Sequence, residues 1–447
     1  MHKHHVVIVG GGFGGLYTAK KLGNLPVNVT LIDRRNHHLF QPLLYQVATG
    51  EISPGDIASP LRRLLMKQKN TRVLMGEVTG FDIANQKVIL RDGPIKYDTL
   101  VVAAGSGDNY FGNDQWKNWA PSLKTVEDAT DIRRRILQTL ETAERIRDPE
   151  LIRAWLTFVV IGAGPTGVEM AGALAEMAHE TLRPAFRNVD LSNVRIVLVQ
   201  SGERVLPTYP AELSAKAEAS LSRLGVEVMT GRRVTDINAE GVTISTGDRQ
   251  TEFIASRNVL WAAGVKASPL GAALAKETNA DLDRGGRVMV EPDLSLPGYP
   301  NVFVIGDLAH FNHQTGDPLP GVAQVAIQQG RYVGRLIERR LQGKAVGAFR
   351  YADRGTIATI GRGAAVADIG RIRLSGWPAW IVWLYIHLMY LAEVENRVLV
   401  FVQWLWHFIT RNRSALLIVN SDSVPTEAQQ QGPVILKTDT GSWPIVK

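Results

Sequence analysis

Two short apolar runs organise the chain. Residues 6–9 in "HVVIVGGGFGGLYTAKKL" and residues 158–161 in "TFVVIGAGPTGVEMAGALAEM" each end at a glycine-rich turn and resume as an apolar helical pattern. An unbroken apolar run bounded by a turn predicts a strand covered on both faces, as in parallel sheets. A second strand follows in each case, "VNVTLID" ending at Asp33 and "VRIVLVQ" ending at Gln200. The second gap is longer, and "AHETLRPAFRNVDLSN" is expected to fill it as a helical extension. "YDTLVVAAGS" (97–106) and "ASRNVLWAAGV" (255–265) predict further strands that close on small residues and a glycine, Gly105 and Gly264. In "TVEDATDIRRRILQTLETAERIR" (125–147), Ile132, Ile136, Leu140 and Ala143 share one helical face. That predicts a crossover helix with a solvated outer side.

The turns carry the candidate chemistry. Gly10-x-Gly12-x-x-Gly15 and Gly162-x-Gly164-x-x-Gly167 both lie between a strand and a helix. Glycine lets the backbone turn sharply and approach a pyrophosphate at the helix N-terminus, and an acid at the second strand tip takes a ribose hydroxyl. Strand, helix, second strand and Asp33 are in register for the first copy. Two cradles imply two dinucleotides, or one dinucleotide and a decayed copy, and two are the expectation. "GRVMVEPDLSLPGYPNVFVIGDLA" then runs into Gly306-Asp307, which resembles the second FAD signature of two-dinucleotide flavoproteins. The fold class expected is α/β, with two Rossmann-like dinucleotide-binding domains and a C-terminal helical membrane anchor. An FAD-binding domain spans 1–115 and 282–345, with an NAD(P)H-binding domain inserted at 116–281. Residues 346–419 are expected to form a separate C-terminal docking region, and 420–447 a polar, flexible tail.

Composition removes several alternatives. Among 447 residues there is no cysteine, which excludes disulfides, thiolate nucleophiles, iron–sulfur ligation and zinc ribbons. No metal site is expected. The net charge of +7 favours an anionic surface, but the basic residues are scattered and no nucleic-acid-reading motif occurs. The N-terminus enters a strand by Val6, leaving no room for a signal peptide, so a cytoplasmic location is expected.

Longer strings make the resemblance specific. "NHHLFQPLLYQVATGEISPGDIASPLR" (36–62), "GVEMAGALAE" (167–176), "GDLAHF" (306–311), "AQVAIQQG" (323–330), "YADRGTIATIGRGAAVADI" and "SGWPAWIVWLYIHL" resemble the type II NADH:quinone oxidoreductases, over about residues 5–412. The resemblance implies FAD on Gly10, Gly12, Gly15, Asp33, Gly105 and Asp307, with Gly264 in the matching turn. It implies NADH over Gly162, Gly164, Gly167 and Gln200, with Glu169 near the reacting rings as a carboxylate that relays protons. A membrane quinone would approach past Gln324 and Gln328, whose i, i+4 spacing puts both amides on one helix face. The neutral Gln200 leaves NADPH open as a second donor, and homodimer formation is also left open. The function implied is two-electron transfer from NADH through FAD to a membrane quinone without proton pumping. A soluble NAD(P)H:acceptor flavin reductase and a flavin-based redox sensor that recruits a partner are the alternatives.

Residues 375–413 hold five of the chain's ten tryptophans, and 374–392 carry no charge. An interfacial helical pair, a transmembrane hairpin and a buried hairpin or dimer seam all suit so apolar a stretch. Residues 378–392 are short for a span of ~20 residues. The following segment has a narrow polar stripe at Asn396, Gln403, His407, Thr410 and Ser414, and Glu393 and Glu395 oppose deep insertion. The expectation is a monotopic anchor on the lipid bilayer surface, at the cytoplasmic face of the cell membrane. Deleting residues after about Ser375 is then expected to leave a soluble protein with both cradles working.

Overall fold

The computed structural model describes residues 3–247, 250–413 and 415–418. The tail at 420–447 and Ser414 of the polar stripe lie outside the described residues. Within them the chain forms two compact units.

The first unit draws on residues 1–40, 58–109 and 264–354. Its six-stranded sheet runs Ser295–Leu296, Tyr299–Val304, Thr99–Val102, His5–Val9, Asn28–Asp33, Thr71–Met75. All neighbours are parallel except the hairpin at the first edge. Val6, Val7 and Ile8 are fully buried in an interior strand, which is why that run shows no polar alternation. The helices Phe13–Leu22 and Ala323–Leu341 pack on one another beside the sheet.

The second unit draws on 41–57, 110–263 and the chain from 355 onward. Its parallel sheet runs Val226–Met229, Arg195–Val199, Thr157–Ile161, Asn258–Trp261. The cradle helix Pro165–Glu176 lies against a three-stranded antiparallel sheet, Thr356–Gly361, Ala364–Ile369 and Ile372–Gly376. Two helices follow, Trp377–Tyr390 and Val394–Thr410.

Three features depart from the pattern predicted from sequence. The first unit resumes at Gly264 rather than 282, because Val265–Ala267 pairs antiparallel with Ser106–Asp108. Residues 41–57 belong to the second unit, held there by the C-terminal helices. Asn396 donates to the Gly55 carbonyl (3.2 Å), Trp404 Nε1 to Gln46 Oε1 (2.9 Å) and Arg413 to the Thr49 carbonyl (2.8 Å). The helical extension after Glu176 ends at Leu182, before Pro184, which cannot supply the N–H a continuing helix needs. The predicted crossover helix forms at Val126–Ala143, with its apolar face buried and a Thr125–Asp128 capping box at its start.

The seat of the cradle helix is tight. A Cβ at Gly172 would stand 1.7 Å from the Ile360 carbonyl oxygen. Gly172→Ala is expected to overpack this junction and lower the melting temperature by several degrees. An unchanged transition in a thermal melt would show that this sheet does not need the helix.

Candidate functional site

The first cradle is shaped by two carbonyl oxygens. Gly10 has φ +105, and a Cβ there would lie 2.3 Å from the Ala103 oxygen. A Cβ at Gly15 would lie 1.8 Å from the Gly10 oxygen. Gly12 is different, since nothing stands within 4 Å of its Cβ position and no side chain caps the helix it precedes. The first N–H groups of Phe13–Leu22 therefore open onto a space suited to a pyrophosphate. Asp33 holds the rim, its carboxylate accepting from Gly11 N (2.5 Å) and Arg35 N (2.7 Å). His38 is buried, and burial lowers its pKa to about 4. Its ring is thus neutral, and the contact of Nδ1 with the Gly11 carbonyl (3.0 Å) makes Nδ1 the protonated nitrogen.

The same unit brings up the second signature. Gly306 has φ +72, and Asp307 accepts from Ser106 Oγ at 2.8 Å. Gly105 and Gly264, at φ +67 and +90, open the two strands that pair beside it. An open cradle, a rim acid and a second acid at a glycine turn fit FAD. Gln324 and Gln328 share a face of Ala323–Leu341, and both amides hold backbone. Gln328 donates to the Ala352 carbonyl (2.9 Å) and accepts from Ala352 N (3.0 Å), while Gln324 accepts from Arg354 N (3.3 Å).

The second unit repeats the first cradle. Gly162 has φ +100 with its Cβ position 2.8 Å from Ala262 backbone, that of Gly167 falls 1.8 Å from the Gly162 oxygen, and Gly164 is open. Gln200 follows the strand Arg195–Val199, and its Oε1 accepts from Ala163 N at 3.0 Å. This is the counterpart of Asp33 on Gly11, with an amide in place of a carboxylate.

Glu169, in the helix behind this cradle, is buried, and burial raises its carboxyl well above the usual range against an opposing Thr359 backbone hydrogen bond. It lines a pocket with Tyr45, Glu51, Glu176, Trp383 and His407. Burial and the Glu169 charge raise the Tyr45 phenol, and burial raises Glu51 to about 7 against the opposing charge of Arg413. Trp383 Nε1 and His407 Nδ1 are buried without a hydrogen-bond partner. Sequence motifs single out only Glu169 of this group. The signal for a second member was Glu176, seven residues on in an otherwise apolar helix.

Residues 4–330 match the family described as pyridine nucleotide-disulphide oxidoreductase, and 354–412 match the NDH2 C-terminal domain. The chain is 47% identical to a type II NADH:quinone oxidoreductase of Mycobacterium tuberculosis over 428 residues, 94% of this chain and 91% of that protein. It is 31% identical to a type II NADH:quinone oxidoreductase of Staphylococcus haemolyticus over 361 residues, 80% of this chain and 87% of that protein. In fold it is similar to NDH2 from Plasmodium falciparum in complex with NADH, at a TM-score of 0.83 and 20% identity, over 92% of this chain and 99% of that one.

Glu51 gives the pocket a pH signature. A carboxyl whose folded pKa lies above its unfolded value stabilises the fold below the unfolded pKa and loses that contribution as pH rises through about 7. Glu51→Gln is expected to melt with the wild type at pH 4 and to exceed it above pH 7, by on the order of 1–2 kcal/mol after screening by pocket water. Parallel melting curves across that range are the check.

Proposed function

Since the chain belongs to the type II NADH:quinone oxidoreductases, we propose that it is a peripheral membrane flavoenzyme that oxidises NADH and reduces a membrane quinone to quinol, without pumping protons. When bound, FAD would supply the two-electron chemistry between NADH and the quinone. Gly10, Gly12, Gly15, Asp33, Gly105, Gly264 and Asp307 would hold it, and Gly162, Gly164, Gly167 and Gln200 would hold NADH. With no cysteine in the chain, no dithiol intervenes between flavin and acceptor, so the acceptor must reach the flavin itself. Burial raises the Glu169 carboxyl well above the usual carboxylate range and so favours its protonated form beside the reacting groups. The pocket beside it suits a flat ring bearing a carbonyl, since Trp380, Trp383 and Trp404 line it and the buried Trp383 N–H lacks an acceptor. Gln324 and Gln328 set the course of residues 352–354.

One observation carries the membrane reading. The polar stripe of Val394–Thr410 faces the protein, where Asn396, Val400 and Trp404 are buried. Its apolar side faces out, with Val398 59%, Val402 55%, Trp406 60% and Ile409 69% exposed, joined by Trp377 and Tyr385 of the preceding helix. Among the described residues no helix is long and apolar enough to cross a membrane. A helix that buries its polar stripe and presents aliphatic and aromatic surface suits an acyl-chain boundary. Arg371 and Arg373 precede the helical pair and Arg411 follows it; Arg373 stands 3.7 Å from Asp368 and Arg411 3.8 Å from Glu180, which offsets part of their charge toward anionic headgroups. We place it on the cytoplasmic face, because NADH is charged and does not cross the bilayer. The soluble-reductase reading offers no use for this surface. The direct test is anaerobic bleaching of the flavin by NADH and its reoxidation by a short-tailed quinone; a flavin that stays reduced refutes the activity.

Removing residues after 375 is not the clean test of the anchor that the sequence suggests. It would strip the partners of Gln46, Thr49 and Gly55 from the second unit. Substituting the outer face leaves those bonds in place. Val402→Glu with Ile409→Glu is expected to leave ferricyanide reduction by NADH unchanged and to lower long-tailed quinone reduction in membranes at least tenfold. Full activity on the long-tailed quinone would sink the lipid reading.

Gln200 sets a second expectation. A carboxylate there would repel the 2′-phosphate of NADPH by about 3 kcal/mol at about 5 Å and an effective dielectric of ~20. The amide removes that repulsion while keeping an acceptor. NADH is the main donor expected, with measurable NADPH turnover. Gln200→Glu should lower kcat/KM for NADPH at least tenfold and keep NADH within about threefold. NADPH turnover that is undetectable in the wild type, or unchanged in the variant, would show that another residue reads the ribose.

A further inference from the structure

The helix Ala323–Leu341 carries a third glutamine that neither cradle motif nor quinone spacing marks. Gln329 is 1% exposed, and its Oε1 accepts from Gly306 N at 2.6 Å. It sits about 100° around the helix from Gln328, so the two amides serve different neighbours. Gly306 is the φ +72 residue that turns Asp307 toward Ser106. The next residue, Gly330, presses on the other half of the same site. A Cβ there would stand 2.3 Å from the Gly14 oxygen, and the Thr18 hydroxyl lies 2.9 Å from that oxygen and 3.2 Å from the Gly330 oxygen. Two adjacent residues thus touch the glycine turn of Asp307 and the first turn of the cradle helix.

We propose that Gln329 is a positioning residue for FAD, which sets Asp307 relative to the cradle by holding the Gly306 N–H. The proposal rests on the reading of Gly306-Asp307 as the second FAD-binding turn. Its chemistry is an obligation of burial. A backbone N–H turned inward by a left-handed φ needs an acceptor, and Gln329 Oε1 supplies it. Without it the turn loses the bond that fixes its angle, and the Asp307 carboxylate no longer arrives where a cofactor hydroxyl would meet it. The cradle contacts of Gly330 remain, so the loss falls on one end of the cofactor.

The test uses the full chain stripped of flavin and titrated with FAD, followed by flavin fluorescence. Gln329→Leu is expected to bind FAD ten- to a hundredfold more weakly, with the flavin-free protein still melting cooperatively a few degrees below wild type and NADH affinity within twofold. Gln329→Glu, which keeps an acceptor oxygen, is expected to recover most of the affinity. If the Leu variant does not fold, the Glu variant decides, and an FAD affinity within tenfold of wild type is then expected. FAD binding by the Leu variant within twofold of wild type, or a Glu variant no better than Leu, overturns the proposal. Asp307→Asn measured alongside separates the two readings. If it leaves FAD affinity unchanged, the FAD-turn reading fails; if it weakens FAD while Gln329→Leu does not, only the role of Gln329 fails.

Discussion

A carbonyl oxygen 1.8 Å from the place where a side chain would begin, once at Gly15 and again at Gly167, is the constraint on which both halves of the molecule depend. It forces each cradle helix to start directly over the end of its strand. The helix N–H groups then converge on one point, and the sites follow. Asp33 and Gln200 meet the same position of each turn because each strand tip stops at the same step beside the glycines. The two turns differ at that position, carboxylate in the first and amide in the second.

The two sheets and their cradles were legible because their signals are local. A strand buried on both faces must be apolar throughout, and a turn that excludes a Cβ must be glycine, so Val6–Val9 and Gly10, Gly15, Gly162 and Gly167 announce themselves. Gln46 and Gln329 were not legible. Each owes its role to a partner far away in sequence, Trp404 for Gln46 and Gly306 for Gln329, and no periodicity marks an amide whose acceptor oxygen meets a remote N–H. The assignment of residues 41–57 to the second unit was hidden for the same reason. The spacing of Gln324 and Gln328 correctly put them on one face, but spacing alone does not say that both amides are engaged with the backbone of 352–354.

The helix Val394–Thr410 illustrates a different limit of pattern reading. A polar stripe with apolar flanks describes a helix in water and a helix on lipid equally well, because amphipathicity has no sign. The sign comes from tertiary bonds. Asn396 and Trp404 find Gly55 and Gln46, and this turns the apolar flank outward.

That orientation bears on what folding means for this chain. A surface carrying Val398, Val402, Trp406 and Ile409 in the open would expose the chain to self-association during synthesis until something covers it. If the covering is lipid, the bilayer is a component of the native state rather than a place where a finished protein lands. A stability measured in plain buffer and one measured in the presence of lipid then refer to different end states, linked by mass action to the lipid present.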